Sequence, residues 1–268
     1  MKRITVIGAL MAFLLAGCVH KGNINFTYDH PERYQVGDAE LEQPVKEIDV
    51  NWVSGNIDIV YADIPGVRIH EQTVCPLADS LRMRYYVDDE GCLDIQFCQS
   101  GIKYNVFDKP SAEGKSRSVC TMPRRENEGC EETNVQKTST LEDIEKNLTI
   151  EVPRGTVLEG IELDGVSTHV RIDSVRSRKL DVAGVWFDVT AQYPELPEEI
   201  DIDGVDGNLT LMVPSSAGMT IEMNGVNKHL NVTSERPTRK EGGKTVIGDG
   251  SCGIDIDGVS ITLNINEL

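Results

Sequence analysis

Ile161-Glu-Leu-Asp-Gly-Val166 returns as Leu180-Asp-Val-Ala-Gly-Val185, Ile200-Asp-Ile-Asp-Gly-Val205, Ile221-Glu-Met-Asn-Gly-Val226 and Ile254-Asp-Ile-Asp-Gly-Val259. Each copy is apolar, acidic, apolar, any residue, Gly, Val, with further apolar residues five and seven places beyond the Gly. The glycines, Gly165, Gly184, Gly204, Gly225 and Gly258, are spaced by 19, 20, 21 and 33 residues. A period near 20 with alternation inside each unit marks stacked β repeats, each unit lying on the one before it.

Two architectures could use this unit. Asp-Gly and Asn-Gly are hairpin turns, so each phrase could fold back as an antiparallel meander. A stack of parallel coils places the same position above itself in every rung, and the same residue type should recur there. Ile or Leu opens all five copies and Val follows all five glycines. The fold expected is therefore all-β, a β-solenoid of parallel coils with Val166, Val185, Val205, Val226 and Val259 as one buried ladder. Gly at the corner permits positive φ or close approach of neighbouring coils.

The N-terminus reads as a leader. Lys2 and Arg3 precede an apolar run from Ile4 to Ala16, too short to span a bilayer comfortably at about 20 residues. Leu15-Ala16-Gly17-Cys18 closes it and resembles the bacterial lipobox. That resemblance implies cleavage before Cys18 and a diacylglycerol on its thiol, a firmer anchor than a single myristoyl chain. The expected organisation is a lipoprotein signal peptide at 1–17, a lipidated Cys18 with tether and N-terminal cap at 18–43, and a repeat domain at 44–268 interrupted by a polar excursion at about 99–147.

The chain carries a formal charge of −18, and −20 once Lys2 and Arg3 leave with the leader. Such a surface repels nucleic acid and anionic lipid heads. Aromatic residues are only 5% of the chain, which weakens the case for a sugar-stacking platform. Six cysteines follow Cys18, an even number that reads as disulfides in an exported protein. Cys120 and Cys130 are the first expected pair because they are close in a polar stretch; Cys75 and Cys98 are the second. Zinc is the rival reading, but no Cys-x-x-Cys and no tight Cys/His group occurs, so no metal and no cofactor are assigned.

Ile48-Asp-Val-Asn-Trp-Val53 is a sixth copy of the phrase, with Trp52 in the glycine place. Val67–His70, Leu81–Val87 and Leu93–Phe97 alternate, and Asp88-Asp-Glu-Gly91 joins the last two as a hairpin. From 99 to 147 no apolar periodicity survives. The repeat resumes at Leu148-Thr-Ile-Glu-Val-Pro153, which matches Leu209-Thr-Leu-Met-Val-Pro214; Pro ends each strand where its missing N–H costs no ladder bond.

Ile48-Asp-Val-Asn-Trp-Val-Ser-Gly55, Leu148–Pro153 and Ile161–Val166 resemble the bacterial putative-adhesin β-strand-repeat domains, over about residues 45–268. The resemblance implies a right-handed single-stranded β-helix, an export signal and an adhesive label. The Ser-Gly pair usual in that family beyond the corner is intact here only at Ser54-Gly55.

Glu162, Asp181, Asp201, Glu222 and Asp255 share one repeat position and should form an outward column. At about 4.8 Å spacing such charges repel. They splay into solvent, are neutralised by bases, or hold a cation such as calcium. Paired carboxylates could also serve a glycosidase, but a regular column sets no two of them apart. His169 and His229 share a position three rungs apart, about 14 Å, too far for one metal. No nucleophile elbow, zinc-protease helix or phosphate loop is present. The reading is a non-catalytic binding or scaffold module at the cell envelope, in the outer membrane or at the cell surface. Its partners are the membrane through the lipid, and an envelope or surface protein or glycan. A polysaccharide-active enzyme on a parallel β-helix and an envelope-stress or regulatory partner are the alternatives.

Overall fold

The computed structural model describes residues 23–74, 76–105, 144–233 and 237–268. Among these it is all-β, with two short 3-10 turns and no α-helix. In chain order the strands are β1 (Asn23–Phe26), β2 (Gln35–Val36), β3 (Ala39–Leu41), β4 (Glu47–Ala62), β5 (Val67–Thr73), β6 (Arg84–Val87), β7 (Cys92–Gln96) and β8 (Ile102–Asn105). There follow β9 (Lys146–Pro153), β10 (Val157–Asp173), β11 (Arg176–Gln192), β12 (Glu199–Val213), β13 (Met219–Thr233), β14 (Thr238–Glu241), β15 (Lys244–Ile247) and β16 (Cys252–Glu267). All but β1 and β8, which pair with each other, join one open sheet.

Each phrase sits near the middle of one long strand, and the strands pair parallel and in register. Gly165 faces Gly184, Gly184 faces Gly204, Gly204 faces Gly258, and Gly258 faces Gly225. The sixth copy joins them, with Trp52 opposite Gly165. The meander is thus excluded for the repeats. Antiparallel pairing is confined to the ends, including the expected hairpin, where Val87 faces Leu93. Its turn closes with Gly91 at φ 91° and Asp88 N–H donating to the Cys92 carbonyl.

The long strands are bent double. Asp173 and Arg176 are three residues apart, so at most about 11 Å, yet Arg176 is the paired neighbour of Val157 at the far end of β10. A straight strand of 17 residues would put those ends over 50 Å apart. The two halves therefore face each other across a shared interior. Ile161 and Leu163 enter it from one half, Val170 and Ile172 from the other, all at most 4% exposed. The inward parity changes from odd to even across the bend, where the ladder steps from Gly165 to Ser167 and leaves Val166 out.

That skipped residue overturns the expected valine ladder. Val166 and Val185 are buried, Val205 is half-buried, and Val259 and Val226 are 36% and 79% exposed. A residue at the break of the alternation belongs to neither inward face, so its burial depends on what covers the bend locally. The inward column after the bend instead holds Gly55, Thr168, Phe187, Gly207, Ile261 and Lys228, three places past each corner.

The stack is also not in sequence order. Strand β16 lies between β12 and β13, so the last copy fills a gap the fourth leaves behind. The chain skips one strand position beyond β12 to form β13, makes the β14–β15 hairpin, and returns as β16 in the position it skipped. This accounts for the 33-residue step. Val205 on β12 is still the middle of the five repeat rungs, flanked by β11 and β16.

Candidate functional site

The in-register pairing lines up more acids than the five copies contain. Asp94, Asp49, Glu162, Asp181, Asp201, Asp255 and Glu222 lie side by side on seven consecutive strands. Two residues along, a second row carries Gln96, Asn51, Asp164, Ala183, Asp203, Asp257 and Asn224. The acids face out, as the alternation required, because the apolar residue on either side fills the interior. A shallow groove of about 420 Å³ runs between the rows and is lined by Glu162, Lys179, Asp181, Asp201, Asp203 and Asp255 among others.

Repulsion along the row is relieved by bases at two places. Lys179 Nζ lies 3.0 Å from Asp201, 3.3 Å from Asp181 and 3.5 Å from Glu199, and Lys244 Nζ lies 2.5 Å from Glu222. Burial opposes the Lys179 charge, but the Asp201 hydrogen bond and the two carboxylates outweigh it and hold its pKa above the ordinary range. Burial pushes the carboxyls of Asp181, Asp203 and Asp255 up. Lys179 opposes the shift at Asp181; Asp257 adds to it at Asp203 and Asp255. Among the described residues, no group of three or more Asp, Glu, His or Cys is arranged to hold one metal ion.

At the N-terminal end of the row stands an aromatic cluster the sequence reading did not find. Tyr34 packs on Tyr28 (ring centroids 4.6 Å apart) and on Tyr86 (5.8 Å), and Phe26 meets Tyr28 edge-on. Tyr34 donates its hydroxyl to Asp94 at 2.6 Å, tying the cluster to the acidic row. Its members are spread over 60 residues, so neither motif nor periodicity joins them. An aromatic content of 5% averages over the whole chain and hides this local concentration.

Lys146 was also missed. It lies within the expected polar excursion, yet it is wholly buried. Its ammonium donates to Glu71 at 2.6 Å and to the carbonyls of Leu81 and Phe97, over the rings of Phe97 and Trp52. Its parity with Leu148, Ile150 and Val152 was the available signal. The neighbouring indole N–H of Trp52 donates to the Lys146 carbonyl, and a Cβ on Gly55 would fall 2.1 Å from that oxygen. In this rung the large residue takes the corner and Gly takes the third place beyond it, the reverse of β11 with Gly184 and Phe187.

His169 and His229 share the outward column foreseen for them, but the inserted β16 puts them four strand spacings apart, about 19 Å, rather than three. Cys98 carries a free, buried thiol whose pKa burial raises to about 12. Cys18, Cys75, Cys120 and Cys130 lie outside the described residues. So does most of the expected excursion; β8 and the start of β9 occupy its two ends.

No family model and no curated protein matches the chain. Two solved structures are similar to the chain. A putative cell adhesion protein from Clostridium sporogenes aligns over 88% of this chain and 100% of its own, at 13% identity and a TM-score of 0.57. A putative adhesin from Bacteroides fragilis aligns over 87% of this chain and 97% of its own, also at 13% identity, with a TM-score of 0.34.

Proposed function

We propose that this chain is a cell-envelope lipoprotein, held by a lipid on Cys18, whose body is a β-solenoid serving as a non-catalytic, adhesin-like binding or scaffold module. The carrying observation is the outward face of the parallel stack. Seven strands repeat an acid at one place, and six of them carry an amide or acid two residues on, which offers a long polar strip rather than one differentiated pocket. Bent, in-register parallel strands support the solenoid, and fold similarity to a putative cell adhesion protein over that protein's full length supports the adhesive role. A carbohydrate-cleaving enzyme needs one acid and one base in different environments. Here Lys179 spreads its charge over three carboxylates, and Asp181, Asp203 and Asp255 are all shifted the same way, which favours binding over hydrolysis.

Two measurements test the reading. Labelled fatty acid should appear on Cys18, and Cys18→Ser should leave the chain unprocessed or shed it from membranes; an unmodified Cys18 rules out the anchor. Cells lacking the protein should attach less well to protein- or glycan-coated surfaces, and the intact chain should restore attachment. Unchanged attachment, together with release of reducing sugar from polysaccharides, would replace the module by the enzyme.

A further inference from the structure

Strand β13 ends the stack of repeats, and its outer edge is only partly covered. Among the described residues β15 pairs with Met219–Ile221 and nothing pairs beyond them on that side. Asn224–His229, Asn231 and Thr233 are exposed, while Leu230 and Val232 are half-buried against the core. Unpaired edges invite another strand, and proteins blunt them with short strands, inward charges or covering segments. The other edges of this sheet are short: β2 has two residues, β3 three and β14 four. The second half of β13, Asn227–Thr233, is long and contains no proline. Its inward Lys228 folds back to donate to the Met223 carbonyl, so its charge is not held out against an arriving strand.

The outward side of this edge also ends an unfinished ladder. Asn231 donates its amide to Asn264 at 2.8 Å, Asn264 donates to Asn208 at 2.8 Å, and Asn208 donates to Asp188 at 3.0 Å. Each amide gives its N–H inward along the stack, so a further strand would meet the carbonyl oxygen of Asn231. What arrives there should bring a donor.

We infer that Asn227–Thr233 pairs antiparallel with the same segment of a second copy of this chain, about a two-fold axis at Leu230. In that register Leu230 faces its own counterpart, Lys228 faces Val232, Asn227 faces Thr233, and His229 faces Asn231. Inward residues meet inward ones, no like charges oppose each other, and each His229 ring brings an N–H donor to the Asn231 oxygen of the other copy. The −18 charge of the chain repels a second copy over most of the surface, but this segment carries only Lys228 and the ionisable His229.

The position of the edge gives the pairing a use, which rests on the lipid-anchor reading. The N-terminal segment lies at the other end of the stack, where β2 pairs with β6 and Tyr34 packs on Tyr86. From β13 to that end is about 40 Å at strand spacing. A two-fold axis on β13 therefore sends the two N-termini in opposite directions, an arrangement suited to joining two facing membranes. Two seven-residue edges bury less than the roughly 1,200 Å² of a stable complex, so the single contact is weak and acts through many copies on a surface.

The test tethers the mature chain by its N-terminus to beads, which makes it independent of lipidation. Wild-type beads should cluster. His229→Asp/Asn231→Asp beads and His229→Lys/Asn231→Lys beads should each cluster about tenfold more slowly or worse, because like charges now face each other. Mixing the two sets should restore clustering. Unchanged melting temperatures check that these exposed substitutions leave the fold intact. Dispersed wild-type beads, variants that cluster like wild type, or a mixture that fails to cluster would each overturn the pairing. If beads stay dispersed while cells still attach to coated surfaces through the protein, the pairing is lost and the adhesive reading stands. Clustering beads with an unmodified Cys18 in cells would sink the anchor and keep the contact.

Discussion

The ring of Phe187 occupies space that Gly207 leaves empty on the neighbouring strand: a Cβ on Gly207 would lie 2.2 Å from Phe187 Cζ. Gly204 also leaves room for the same ring, with its own Cβ position 2.4 Å from Cε1. One large side chain therefore fills the interior of two rungs.

Gly207→Ala should destabilise the fold by about 1–3 kcal/mol through overpacking. Phe187→Leu alone should also cost stability, because it leaves a void. Combined, the two should cost less than their sum, since Leu makes room for the added methyl. Urea unfolding of all four proteins measures the coupling; strict additivity would mean that the two sites do not share this space.

Lys146 and Glu71 form an ion pair inside the core, with side chains 0% and 5% exposed. Burial lowers the pKa of Lys146, and the Glu71 charge acts against that shift. Lys146→Met should cost about 3–5 kcal/mol because it strands a buried carboxylate. Lys146→Met with Glu71→Leu should recover much of that loss. Thermal melts decide it: a double variant no better than the single would show that the pair is worth more than an apolar replacement.

The acidic row should make stability rise as the solution is acidified from neutral. Burial raises the folded-state pKa of Asp203 and Asp255 above the ordinary value of 3.8. Between 3.8 and the raised values the folded chain binds more protons than the unfolded one. Their stabilisation is complete below 3.8 and is lost as pH rises through the folded values. Asp203→Asn and Asp255→Asn should therefore raise the melting temperature at neutral pH and reduce its gain on acidification. Asp201→Asn tests this less cleanly, because it also removes a Lys179 contact. A wild-type gain retained in full by both variants would contradict the assignment.

Valines at one repeat position should respond unequally to the same change. Val185 is buried, so Val185→Asp should cost several kcal/mol by burying an unpaired charge. Val226 is exposed, so Val226→Asp should stay within about 0.5 kcal/mol. Equal losses in guanidinium unfolding would restore the single buried ladder.

Cys120 and Cys130 should be linked in the exported protein, closing a short loop that contributes at most about 3 kcal/mol. Peptide mapping without reductant checks this, and Cys120 joined to any other cysteine would refute it.

Much of the fold is legible in the sequence because β-sheet facing is a local property. Alternation put Ile161, Leu163, Val170 and Ile172 inside and Glu162, Asp181 and Asp201 outside, and the recurrence of Gly-Val placed one phrase against the next. The same pattern exposed Ile48–Val53 as a sixth copy despite Trp52. Stacking order was decided elsewhere. Strands β12, β13 and β16 carry nearly the same phrase, so parallel pairing in register satisfies any order of the three, and only the path of the chain through the β14–β15 hairpin places β16 in the middle. The valines depended on the bend: where the alternation breaks, burial is set by neighbouring strands rather than by parity. Lys146 meeting Glu71, Tyr34 meeting Asp94, and Phe187 lying over Gly207 are contacts between residues far apart in the chain. Local pattern determined which side each residue faces, and the tertiary structure alone decided what each one meets there.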